Sequence, residues 1–136
     1  MKRIPYAAII IENTQGELLL LLRDNKSTIV FPNHWTLIGG KVKADETPEV
    51  TARRELVETS GLDTELVFWK RYERQHPVFV VDQHLYVGKV DASGEGQMLQ
   101  FFRPEEIRHL KIGYGFKALL DEYFLMKAGH PHVHYA

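Results

Sequence analysis

The chain contains no cysteine. Disulfide staples, zinc–thiolate centres and cysteine nucleophiles are excluded together, and the composition agrees with a reducing compartment. Neither sign of charge is in excess: 17 Lys and Arg stand against 18 Asp and Glu, for a formal net charge of −1. No global basic field favours a nucleic-acid polymer, and no acidic surplus marks a solvating tail. Long apolar runs are also missing, because no stretch approaches the roughly 18–20 residues a membrane helix needs. Residues 1–11 join a basic start to a short apolar run without a small-residue cleavage site, so they read as a buried first strand rather than a signal peptide. A cytoplasmic protein without a membrane partner is the expectation.

What remains suffices for a core. With 136 residues, 44% of them hydrophobic, the chain has the size of one compact domain. That domain is expected over residues 1–128, followed by a tail at 129–136. Strands are predicted at 6–11, 17–23, 66–71, 78–81, 84–90 and 99–102, with Asp82-Gln83 joining the fourth to the fifth. The second carries five consecutive leucines bounded by turn signals, as a strand buried on both faces would. Trp35 to Ile38 leads into Gly39-Gly40, and loops are predicted at 24–33 and 92–96. Helices are predicted at 45–60, closed by Gly61, and at 114–127, with a helical turn opening at Pro104. In the last helix Phe116, Leu119, Leu120, Tyr123 and Phe124 fall on one stripe. Strands interspersed with two separated helices describe an α/β domain with helices packed on a mixed sheet.

The helix at 45–60 is unusual. At about 100° per residue, Glu55 and Glu58 share one side with Thr51 between them. Val50 and Val57 flank that side in one direction, and Ala52 and Leu56 in the other. A narrow acidic face between two apolar ones suggests a helix wedged in the fold with its carboxylates aimed at a cleft. Two carboxylates at i and i+3 repel, a cost that a shared cation removes. Oxygen donors without His or Cys point to Mg²⁺ or Mn²⁺ rather than zinc. The competing account is a solvated face, with both acids paired to Arg53, Arg54 or Lys43. Gly39-Gly40-Lys41 precedes the helix, and glycines there let backbone approach a ligand closely.

From Gly40 the chain reads Gly, five residues, Glu46, seven residues, then Arg54-Glu55-Leu56-Val57-Glu58-Thr59-Ser60-Gly61-Leu62. This resembles the Nudix box of the Nudix hydrolase family: eight of its nine specified positions match over 23 residues. The resemblance implies a Nudix-like α/β/α sandwich around a central mixed β-sheet. It implies a pyrophosphohydrolase that cleaves a nucleoside diphosphate linked to another moiety, with Mg²⁺ or Mn²⁺ as cofactor. Position by position, Glu55 and Glu58 would hold the metal or its waters, joined by a carbonyl at Gly39 or Gly40. Arg54 and Glu46 would hold loop and helix in register by an ion pair. Glu95 would serve as general base or additional ligand, and Arg23 and Lys41 as phosphate contacts in substrate binding. Bound metal would neutralise phosphate charge and acidify a water, whose proton a carboxylate takes. A small-molecule nucleotide is the implied partner, and dimers are common in the family.

Thr59 stands where the box has a second adjacent glutamate, so the site loses a full negative charge. Weaker metal binding is expected, since hard cations respond to ligand charge. The alternative function is a nucleotide-binding or sensor module with reduced or absent chemistry. Ile38 replaces a common Pro and touches no catalytic group. Phe31, Trp35, Phe101 and Phe102 are candidates to stack on a base, against the plainer role of core packing. His130, His132 and His134 alternate in the tail, where a metal site competes with an unstructured end. His34 and His76 receive no role.

Overall fold

The computed structural model describes residues 2–93 and 98–129. Their strands form one mixed sheet in the order β3-β2-β1-β6-β5. At its centre β1 (Lys2–Glu12) runs parallel to β6 (Phe79–Lys89) along their whole length, from Lys2 opposite Phe79 to Glu12 opposite Lys89. The other pairings between these strands are antiparallel: β2 (Leu18–Leu22) with β1, β3 (Trp35–Thr36) with β2, and β5 (Leu66–Gln75) with β6. The short β4 (Ile38–Lys41) also pairs with β1, and β7 (Leu99–Phe102) pairs with β2.

Two apolar layers follow from alternation along these strands. Ala8, Ile10, Leu18, Leu20, Leu37 and Leu85 pack beneath α2 (Pro104–Ile107) and α3 (Phe116–Lys127), whose Ile107, Phe116, Leu119, Leu120 and Tyr123 close that core. Ala7, Ile9, Ile11, Leu19, Ile38 and Tyr86 face the other way and are covered by Ala52 and Leu56 of α1 (Pro48–Ser60). The leucine strand therefore feeds both cores, as its unbroken run predicts. The result is the expected α/β/α sandwich.

Several expectations need correction. The Asp82-Gln83 break does not exist: β6 is one strand, its centre held by β1 on one side and β5 on the other. Gly39 and Gly40, expected between a strand and the helix, lie within β4 itself, opposite Ala8 and Ala7. A Cβ on Gly39 would collide with the Ala7 carbonyl oxygen, so only glycine lets β4 approach β1 this closely. The first helix begins at Pro48 rather than 45, because Thr47 caps it by accepting from the Val50 amide at 3.3 Å and proline needs no donor partner at N1. It ends as predicted: Gly61, at φ 75°, donates its amide to Val57 O at 2.9 Å. The last helix starts at Phe116, after Tyr114 and Gly115 adopt left-handed backbone. β1 and β5 run longer than their apolar cores suggest, because cross-strand partners extend them over polar residues. The helical wedge is also wrong: Val50 and Val57 are exposed, and α1 buries one face only, through Thr51, Ala52 and Leu56.

Candidate active site

On α1, Arg54 organises the acids. Its Nε donates to Glu46 Oε2 at 2.8 Å and its Nη2 to Glu46 Oε1 at 3.1 Å, a two-pronged bond across the loop that enters the helix. The buried Thr51 hydroxyl adds a bond to Glu46 Oε1 at 2.8 Å. These bonds hold the Glu46 carboxyl well below the ordinary range, at about 2, and they raise the Arg54 pKa in return. The remaining nitrogen, Nη1, donates to Glu55 Oε1 at 3.2 Å and to Glu58 Oε2 at 3.1 Å. So the expected Arg54–Glu46 pair is present, and part of the competing account holds as well, since Arg54 also neutralises both acids. Arg53 turns away to Asp63 at 3.2 Å. Glu55 is three-quarters buried and lies against Gly40, where a Cβ would come within 2.5 Å of its Oε1; Glu58 is exposed.

Gly39 and Gly40 also line a cleft of about 490 Å³ that opens beside the α3 layer. Its floor is apolar, with Ala8, Leu37, Val81 and Phe116, and its rim carries Phe31, Tyr114, Arg23 and Arg74. The rim is tightly made. The Tyr114 ring lies 4.7 Å from Phe31, and the guanidinium carbons of Arg23 and Arg74 sit 5.3 and 5.7 Å from its centroid. Arg23 also donates through Nε to Val30 O at 2.8 Å. Phe31, Asn33 and Tyr114 all hold positive φ, at 52°, 58° and 60°. Strain of this kind collects at ligand clamps.

Of the predicted site residues, the structure therefore brings together Glu46, Arg54, Glu55 and Glu58 on one side of β4. It places Arg23 and Phe31 on the other, with the glycine pair between. Lys41 is exposed at the end of β4, outside the cleft lining. Trp35 and Phe102 pack edge to face at 4.7 Å, and Phe101 packs on the α1 core, so three of the four candidate aromatics serve the interior. His34 Nδ1 bonds Pro32 O at 2.8 Å, and His76 stacks on Phe79 at 4.0 Å on the cleft wall. Glu95, His130, His132 and His134 lie outside the described residues. The sequence reading missed Arg74, Gln83 and Tyr114. Only the backbone strain at Tyr114 singles one of them out, and that has no sequence signal.

The donors suit a hard divalent cation. They are oxygen atoms only, and Arg54 Nη1 already stands as a positive charge shared by Glu55 and Glu58. Among the described residues no three His, Cys, Asp or Glu side chains converge. Glu55 and Glu58, with a carbonyl at Gly39 or Gly40, would hold Mg²⁺, which keeps several waters and takes few protein ligands. No helix of the described residues is long and apolar enough to cross a membrane.

Comparison with known proteins agrees with this layout. An 8-oxo-dGTP diphosphatase of Haemophilus influenzae is 36% identical over 93 residues, a match covering 63% of this chain and 62% of that protein. The chain thus aligns with less than two thirds of that relative's length. The solution structure of the E. coli ORF135 protein superposes with a TM-score of 0.77 at 26% identity, covering 96% of this chain and 95% of that one. The NUDIX domain of Shewanella oneidensis NrtR, solved with ADP ribose, has the same fold at 13% identity, with a TM-score of 0.78 over 93% of this chain and 90% of its own. A family model described as the NUDIX domain matches residues 2–123, and the chain belongs to the NUDIX family.

Proposed function

We propose that the chain is a divalent-metal-dependent pyrophosphohydrolase whose substrate is a nucleoside di- or triphosphate, bound with its base in the cleft and its phosphates toward Gly40. The observation that carries this reading is the side-chain-free Gly39-Gly40 pair of β4, which brings the Glu55 carboxylate to the edge of an aromatic, arginine-rimmed cleft. Glu55 and Glu58 would hold the ion, with a carbonyl at Gly39 or Gly40. When bound, Mg²⁺ or Mn²⁺ supplies charge neutralisation and an acidified water. The chain's own residues do the rest. Arg23 and Arg74 balance phosphate charge, Arg54 and Glu46 keep the acids in place, and Glu95 takes a proton as general base. Water oxygen adds to one phosphorus while the bridging P–O bond breaks, and the proton passes to the carboxylate. The named activity of the Haemophilus relative makes an oxidised purine deoxynucleoside triphosphate the first substrate to try.

The experiment is hydrolysis of a nucleotide panel, 8-oxo-dGTP included, with Mg²⁺ or Mn²⁺, comparing wild type, Glu55→Gln and Thr59→Glu. Turnover in wild type that Glu55→Gln abolishes supports the proposal, and Thr59→Glu is expected to raise metal affinity. Silence in wild type with turnover in Thr59→Glu makes the chain a nucleotide binder with one ligand removed. Unchanged turnover in Glu55→Gln refutes the site.

A further inference from the structure

Six polar or charged residues are buried in the described part: Glu12, Asn13, Thr36, Thr51, Asp82 and Gln83. Burial of such groups demands partners. Four have them. Glu12 accepts from Tyr123 at 2.6 Å and from Lys89, and Asn13 donates to Glu17 at 2.8 Å. Thr51 donates to Glu46, and Asp82 accepts from Arg71 at 2.7 Å. Gln83 and Thr36 make no side-chain hydrogen bond among the described residues, and both line the same cleft. Their polar atoms are not sealed in, so they open on that space. Gln83, a residue 94% buried in an apolar floor with its carboxamide unpartnered, is placed to meet a ligand.

Its position fits one. Gln83 is opposite Tyr6, which is opposite Lys41 next to Gly40. Two strand spacings separate Gln83 from β4, roughly 10 Å. A nucleoside phosphate bridges that span, leaving its base at Gln83 and its phosphates at the glycine pair. A carboxamide carries one donor and one acceptor side by side, a pattern that matches a base edge carrying the complementary pair. Resting on the reading of the cleft as a nucleotide site, we infer that Gln83 is the residue that reads the nucleobase. It selects an edge that presents a donor next to an acceptor. The N6/N7 edge of adenine and the O6/N7–H edge of an 8-oxoguanine both qualify. Guanine does not qualify through its O6/N7 edge, which has two acceptors, and could satisfy Gln83 only through another edge, such as N1–H/O6.

Binding tests this without turnover. Protein stripped of divalent metal with EDTA is titrated calorimetrically with dATP, dCTP, dGTP, dTTP and 8-oxo-dGTP. The wild type is expected to rank them. Gln83→Leu, close in size, should weaken the best ligand about tenfold or more and flatten the ranking. Gln83→Glu keeps the shape but only accepts, so the ranking should move toward an edge with two adjacent donors, such as N1–H and N2–H of guanine. If the leucine variant melts early, the glutamate variant carries the test alone. A ranking unchanged in both variants, a loss equal for all five nucleotides, or no binding by wild type overturns the assignment. Base ranking that depends on Gln83 in a protein without hydrolysis would leave it standing and remove the proposed activity instead.

Discussion

The two sides of β4 are built on opposite principles. On one side the acids sit on a single helix, three residues apart, held by an arginine and a glutamate from the same short stretch of chain. On the other, the cleft gathers β1, β2, the loop after it, β4, β5, β6 and the turn before α3. The acidic side is local and rich in charge pairs. The cleft side is non-local, largely apolar, and keeps buried polar groups without partners. Under the proposed function the difference separates chemistry from recognition: the first requires a fixed set of groups, and the second can change one strand at a time.

Glu55→Gln tests that separation with the largest effect. Turnover should fall at least about 100-fold, because the substitution removes charge from the more buried of the two acids proposed to hold the metal. Metal-free nucleotide binding should not change. If affinity falls along with turnover, the two sides are not separate.

Gly39→Ala strikes the join between them. Its methyl group would meet the Ala7 carbonyl and the Ala8 Cα, neither of which can yield without shifting β1. A loss of about 2–3 kcal/mol in chemical denaturation is expected, typical of overpacked interiors. Gly40→Ala differs in kind. There the obstruction is the carboxylate end of Glu55, a flexible group that can swing aside. Stability should change little while turnover drops. Equal destabilisation by both would mean that Gly40, like Gly39, serves only the sheet.

These contrasts explain what the sequence could reveal. Glu46, Arg54, Glu55 and Glu58 lie within 13 residues of chain, so helical periodicity alone brings the last three together. The five leucines announced a strand shared by two cores for the same local reason. Asp82-Gln83 resisted, because a polar dipeptide between apolar runs has the composition of a turn. Only pairing with β1 and β5, with Arg71 bonded to Asp82, keeps it in the strand. Val50 and Val57 misled in the opposite direction: apolar positions on a helix do not say whether a second layer exists to cover them. Arg74 and Tyr114 are 40 residues apart and meet only through the sheet.

Away from β4, Tyr123→Phe probes the network that ties α3 to the far end of β1. Tyr123 donates to the buried Glu12 at 2.6 Å, while Lys89 keeps that carboxylate charged. Burial and the Glu12 charge both raise the Tyr123 pKa, so the hydroxyl stays a donor at neutral pH. Removing it should cost about 1–2 kcal/mol, because a buried charge loses one of its partners. Thermal melting would show this, with turnover unaffected.

The smallest effect at neutral pH should come from Glu46→Gln, and its signature is a pH profile. The Glu46 carboxyl is lowered from the ordinary value of 4.5 to about 2, chiefly by its bonds to Arg54 and then by Thr51. A carboxyl depressed in the folded state contributes stability that is complete above its unfolded pKa and is lost as pH falls through its folded one. The window is therefore between pH 4.5 and about 2. Wild-type melting temperature should fall more steeply across that range than the glutamine variant's, and the two curves should run nearly parallel from pH 5 to 7. At neutral pH the glutamine carbonyl still accepts from Arg54 or Thr51, so what is lost is chiefly the charge of the pair, and the melting temperature should change little. Loss of that charge frees Arg54 to bind Glu55 and Glu58 more fully, so a rise in the Mg²⁺ concentration needed for half-maximal turnover should accompany the flat profile. Parallel acid limbs in the two proteins would show that the Arg54–Glu46 bond contributes nothing to folding, leaving Arg54 as a counter-charge to the metal-binding acids alone.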